Sequence, residues 1–204
     1  MPRTTTARSD AIAAAADLFR RQGYAATGLE TILAASGAPK GSFYHHFPGG
    51  KEDLATEAIR YSGDRVADRI RYAAAATSTP GELVTAVAAA QAAELRDSAY
   101  ACGCPVATIA LERAGQSEVV AQAADKAFRA WAAPLASRLR ETERSEQDAD
   151  RLARWAVANL EGALLLARAA HDATIITDAA ALTAAVLDRP AELPNPTRAA
   201  ADLV

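Results

Sequence analysis

Residues 27–54 read TGLETILAASGAPKGSFYHHFPGGKEDL, and the way this stretch divides decides the fold. Leu29, Ile32 and Leu33 recur at helical spacing, and Ser36-Gly37 then interrupts the pattern with a residue that tolerates positive φ. Thr27 and Glu30 have the spacing of a capping box, in which the hydroxyl takes one orphan amide and the carboxylate reaches back to another. Pro39 suits the first turn of a new helix, where its missing N–H costs nothing. At about 100° per residue, Lys40, Gly41, Tyr44 and His45 share one face of that helix, while Phe43 and Phe47 lie on the other. The arrangement is that of a helix-turn-helix, in which one helix braces a second whose exposed side chains enter the major groove of DNA.

Outward from this stretch, helical stripes continue in both directions. Ile12, Ala15, Ala16, Leu18 and Phe19 predict a first helix over 8–22, closed by Gly23. Pro48-Gly49-Gly50 ends the third helix, and Lys51 opens a long one through about Ala76. Thr79 with Pro80 predicts a capped start for a helix running to about Ser98. Tyr100 to Pro105 breaks the pattern before a short helix, Val106 to Glu112. Further helices are expected from Gln116 or Ser117 to about Glu141, from Asp148 to about His171, and from Thr174 or Thr177 to about Leu187. Pro190, Pro194 and Pro196 make 191–204 an irregular tail. Abundant Ala, few β-branched or aromatic residues and no strand pattern give an all-α chain of about nine helices. The expected division is a DNA-reading domain over 1–50 and a larger helical domain over 51–190.

The chain carries a formal charge of −3, but unevenly: residues 1–51 hold six Lys or Arg against three acids, which leaves −6 on the remainder. A basic end on an acidic body suits phosphate binding at that end. Lys40, Gly41, Tyr44 and His45 then form the groove face, with Thr27 and Lys51 at helix N-termini placed for phosphates. The competing reading is that Phe43, Tyr44 and Phe47 are core aromatics and His45 and His46 surface residues. No Ser/His/acid arrangement, metal spacing or phosphate-cradling loop is present, so an enzyme, a metal and a cofactor are not expected. A helical interaction module without DNA binding is the remaining rival. Cys102 and Cys104 are too close for an ordinary disulfide and too few for zinc, and no basic neighbour favours a thiol switch. With no apolar leader or span, a cytoplasmic location is expected.

The run from Gly23 to Phe47, with Thr27, Gly37, Lys40-Gly41-Ser42-Phe43-Tyr44-His45-His46-Phe47 at its centre, resembles the DNA-binding domain of the tetracycline-repressor (TetR) family. His45-His46-Phe47-Pro-Gly-Gly-Lys51, Gly103-Cys104-Pro105-Val106 and Leu160-Glu161-Gly162-Ala163-Leu164 resemble the LmrA/YxaF-type branch. The resemblance implies a homodimeric repressor that binds a palindromic operator and releases it for a small hydrophobic effector. It implies base and phosphate contacts by Lys40, Gly41, Ser42, Tyr44 and His45, and backbone contacts by Thr27, His46 and Lys51. Two departures stand out: Pro39 where many relatives carry a polar residue, and three residues instead of two between Phe47 and Lys51.

In the larger domain, Ile109, Phe128, Trp131, Leu135 and Trp155 are expected as apolar walls of an effector pocket, with Tyr100, Cys104, Glu112 and Asn159 as its polar contacts. Leu152, Ala156, Leu160, Ala163, Leu164 and Ala167 share one side of the penultimate helix. With Leu182 and Val186 of the last, they are expected to pack against a second copy as a four-helix bundle.

Overall fold

The computed structural model describes residues 4–142 and 144–189, with side chains from Ala7 onward. Within them lie nine helices and no strand: α1 (Thr4–Gln22), α2 (Leu29–Ser36), α3 (Lys40–His46), α4 (Lys51–Ala75), α5 (Pro80–Asp97), α6 (Pro105–Arg113), α7 (Glu118–Arg140), α8 (Glu146–Ala170) and α9 (Thr174–Leu187). The irregular tail expected over 191–204 lies outside the described residues.

Punctuation in the sequence sets most of these ends. Gly37 closes α2 at φ 65°, ψ 13°, a left-handed conformation that costs glycine nothing. Thr79 and Glu82 form a complete capping box at α5, with Pro80 in the first turn, and Ser117 and Ser145 accept from Val120 and Asp148 to start α7 and α8. The box expected at Thr27 and Glu30 does not form. Gly28 is the N-cap of α2, and the Thr27 hydroxyl turns inward to donate to the Gly23 carbonyl at 2.6 Å. Pro39 precedes α3 as its N-cap instead of entering the first turn. The longer link before Lys51 is accommodated by Gly50, at φ 70°, ψ −134°, a region nearly confined to glycine.

Phe19, Ile32, Phe43, Phe47 and Leu54 are fully buried together and tie α1, α2, α3 and the start of α4 into one core. Phe43 and Phe47 stack with ring centroids 5.1 Å apart. Each buried aromatic of this kind contributes about 1.5–3 kcal/mol. In the rest of the chain α4 lies along α7, α5 along α9, and α8 against both α7 and α9. Small residues permit the closest of these crossings. A Cβ added to Gly63 of α4 would stand 2.8 Å from the Ala127 Cβ of α7, and the Gly63 carbonyl accepts from the Trp131 indole N–H at 2.9 Å. Gly63→Ala should therefore force α4 and α7 apart and cost about 1–3 kcal/mol, as seen in urea denaturation; an unchanged midpoint would show that the crossing gives way freely.

Candidate DNA-reading face and effector cavity

The third helix presents two unlike sides. Phe43 and Phe47 point into the core, while Lys40, Gly41, Tyr44 and His45 are exposed, Tyr44 with half its surface free. Ser42 donates its hydroxyl to the Pro39 carbonyl at 2.9 Å and so braces the first turn. Beyond its own helix backbone and chain neighbours, no atom of the described residues lies within 4 Å of where a Gly41 Cβ would stand, so packing among them does not require glycine there. His46 is half-buried and its Nε2 finds no hydrogen-bond partner among the described residues.

The charges on this end are largely engaged. The Lys40 ammonium sits 2.6 Å from Glu30 on α2, which raises its pKa. Both side chains are well exposed, so solvent screens the pair and it adds little to stability. Lys51 lies 4.1 Å over the Tyr24 ring; burial lowers its pKa, with Glu112 pulling the other way. Arg8 pairs with Glu57 at 2.6 Å. Thr27, expected to meet phosphate, is fully buried and its hydroxyl is spent, so at this corner only the backbone amides opening α2 remain for an anion.

A cavity of about 910 Å³ opens between α4, α5, α7 and α8. Its walls are mostly apolar, with Val66, Ile70, Val87, Leu160 and Leu164 prominent, and its size falls in the range of about 300–1,000 Å³ usual for ligand sites. Of the nine residues expected there, Cys104 and Trp131 line it; the other seven lie elsewhere. Tyr100 stacks on His171 with centroids 5.0 Å apart, and Ile109 and Leu135 are buried in the core. Phe128 meets the Trp131 ring edge to face. Trp155 is on the surface, and Asn159 donates to the Thr183 hydroxyl at 2.5 Å. Glu112 faces the DNA-reading end. Helical spacing marks Phe128, Trp131 and Leu135 as inward-facing without showing which inward faces enclose space. Gln91 and Glu161 on the wall were not anticipated. A Gln and a Glu within Ala-rich helices were the available signal.

The stripe expected at a subunit contact is also reassigned. Leu152, Ala156, Leu160, Ala163, Leu164 and Ala167 are all buried within the chain, and two of them form cavity wall. The opposite side of α8 leaves Trp155, Leu165 and Leu166 exposed, the two leucines by 62% and 61%, beside Leu182 and Val186 of α9.

The family model for bacterial regulatory proteins of the tetR family matches residues 11–58, and that for the C-terminal domain of LmrA/YxaF-like transcriptional regulators matches residues 80–182. The chain belongs to the TetR family. It is 36% identical to the HTH-type transcriptional regulator LmrA of Bacillus subtilis over 82% of this chain and 89% of that one. It is 38% identical to the uncharacterized HTH-type regulator YxaF of the same organism over 78% and 84%. A crystal structure of a TetR transcriptional regulator from Chloroflexus aurantiacus is 28% identical, with a TM-score of 0.77 over 93% of this chain and 98% of that chain. The relatives are transcriptional regulators, not enzymes. Among the described residues no helix is long and apolar enough to cross a membrane, and no three His, Cys, Asp or Glu side chains are grouped to hold a metal.

In this TetR-family regulator the cavity wall and the DNA-reading end share atoms. Arg20 of α1 lines the cavity, where its guanidinium meets Glu94 of α5 at 2.5 Å. Burial alone would raise the Glu94 carboxyl, but hydrogen bonds from Arg20 and Arg69 outweigh it and hold the pKa below the ordinary value. The Gly103 amide, beside Cys104 on the wall, donates to the Arg20 carbonyl at 3.0 Å, and Arg168 donates to the Arg21 carbonyl at 2.9 Å. From the other end of α6, Glu112 accepts the Tyr24 and Ala25 amides at 2.8 and 2.7 Å. Arg113 pairs with Glu52 at the start of α4, which also accepts from Ser117. Glu112→Ala should leave the helical content intact and speed hydrogen exchange at the Tyr24 and Ala25 amides by at least ~10-fold, measured by NMR; unchanged exchange would show that the carboxylate does not hold this corner.

Proposed function

We propose that the chain is a cytoplasmic, ligand-responsive repressor that binds a palindromic operator as a homodimer and is released by a small hydrophobic effector. The observation that carries this reading is the shared wall. The segment from Cys102 to Pro105 and Arg20 line the cavity and also hold the end of α1, so a guest that displaces them acts on the DNA-reading end directly.

In this reading 1–50 is the DNA-reading domain and 51–190 the effector-binding and dimerising one. Lys40, Gly41, Tyr44 and His45 face the groove, Ser42 braces them, and His46, Lys51 and the amides after Thr27 meet the phosphate backbone. Two copies join through the exposed face of α8 and α9, with Trp155, Leu165, Leu166, Leu182 and Val186 at its centre. A contiguous apolar face of this kind is costly in water and typical of a partner surface. The two recognition helices must then match half-sites about 34–36 Å apart, or a multiple of that. Effector binding shifts the dimer between two head separations by its differential affinity for them. Cys104, whose thiol burial pushes well above its ordinary pKa, acts as a wall and not as a thiolate sensor.

Gel-shift titration against the DNA upstream of its own gene, at several salt concentrations, tests the groove face. Gly41→Ala should weaken specific binding at least ~10-fold without lowering stability, because alanine is the better helix former by up to about 1 kcal/mol and meets nothing inside the chain. Lys40→Ala should lower affinity and flatten the salt dependence by about one unit. Wild-type affinity in both variants would remove the assigned face. Leu166→Glu should convert a dimer to a monomer in sedimentation equilibrium at micromolar concentration; a dimer that persists would place the subunit contact elsewhere.

A further inference from the structure

The polar groups of the cavity divide into those already spent and those left open. Arg20 and Arg69 both donate to Glu94, at 2.5 and 3.0 Å. Asp68 is held by Arg71 at 2.5 Å, the Thr77 hydroxyl donates to the Ala73 carbonyl at 2.8 Å, and the Trp131 N–H is taken by Gly63. Every charged lining residue but one therefore has an opposite charge beside it. The exception is Glu161 of α8, whose carboxyl has the Cys104 thiol as neighbour and no cation paired with it among the described residues. Burial raises its pKa, so without a guest it is driven towards the neutral acid. Across the wall, the Gln91 Oε1 is buried with no hydrogen-bond partner among the described residues. Trp131, buried, and Tyr72, largely exposed, are also among the lining residues.

An open acceptor, an acid lacking a counter-charge and aromatic faces favour the same kind of guest. We propose that this cavity is a receptor for lipophilic organic cations, with Glu161 as the counter-charge, Gln91 as a polar acceptor and Trp131 as an aromatic face. The guest's positive charge supplies the opposite charge that the Glu161 carboxylate lacks, and its apolar groups fill the Val66, Val87, Leu160 and Leu164 walls. An anionic guest finds no free cation among the described lining residues, since Arg20 and Arg69 are committed to Glu94. The inference deepens the effector site of the proposed repressor and rests on that reading for its biological role, but not for its chemistry.

Tetraphenylphosphonium and tetraphenylborate, of nearly one shape and opposite charge, and the smaller neutral triphenylphosphine oxide test it on the full chain by isothermal titration. The phosphonium should bind at least ~10-fold more tightly than the neutral oxide, and the borate most weakly. Glu161→Gln, which keeps the shape of the neutral acid, should erase the advantage of the cation over the oxide. Gln91→Leu, which removes a carbonyl dipole from the wall, should weaken the cation by a smaller factor, and provides a second reading if the first variant folds poorly. Absent binding of the phosphonium, equal affinity for cation and oxide, preference for the borate, or an undiminished cation advantage in both variants would overturn the proposal. The gel shift separates the two readings. A chain that selects no DNA loses the repressor assignment while these ratios stand, and a chain that binds its operator but prefers the neutral oxide loses the cation assignment alone.

Discussion

The last turn of α1 ends on carbonyls that no residue of its own helix can satisfy, and the corner after it carries two amides in the same position. The larger part of the chain supplies the partners: Gly103 and Arg168 for the carbonyls of Arg20 and Arg21, Glu112 for the amides of Tyr24 and Ala25. A helix end left bare there would be free to swing. Held on both sides, it gives α2 and α3 a fixed seat. The orientation of the DNA-reading face is thus set by backbone groups of the small domain meeting a few side chains and one amide of the large one. These bonds join segments far apart in sequence. They form only once the whole chain is folded, which makes head orientation a property of the entire molecule.

The elements themselves were legible because helix ends are local chemistry. Thr79 with Pro80, Ser117, and Gly37 each mark a boundary found where expected. The same chemistry also shows its limit. Thr27 and Glu30 carry the spacing of Thr79 and Glu82, yet only the second pair caps a helix. The difference is not local. Thr27 follows a corner in which the Gly23 carbonyl comes within 2.6 Å of its hydroxyl, and that bond wins over the cap.

The site was legible in part for a related reason. On α3 one side is aromatic and the other polar, so the sequence itself separates core from solvent. On α8 apolar residues run nearly all the way round, from Leu152 and Leu160 on one side to Trp155, Leu165 and Leu166 on the other. Periodicity finds a stripe there but not its partner, and the buried stripe was assigned to the wrong neighbour. The cavity was harder still. A void is a statement about where packing fails between α4, α5, α7 and α8, and no single helix records it. Glu112 shows the same blindness from the other direction: its value lies in two amides some ninety residues earlier in the chain.

Arg20 belongs to both the DNA-reading end and the cavity wall, and that double membership constrains energetics as well as geometry. A residue that takes one position when the heads suit DNA and another when a guest fills the cavity couples two binding equilibria through a single free energy. Such coupling runs equally in both directions. By whatever factor the guest weakens the grip on DNA, DNA must weaken the grip on the guest. In the proposed repressor, each stretch of operator then acts as a competitor for the effector without ever touching it, and the effector concentration that relieves repression is set partly by how tightly the operator is held.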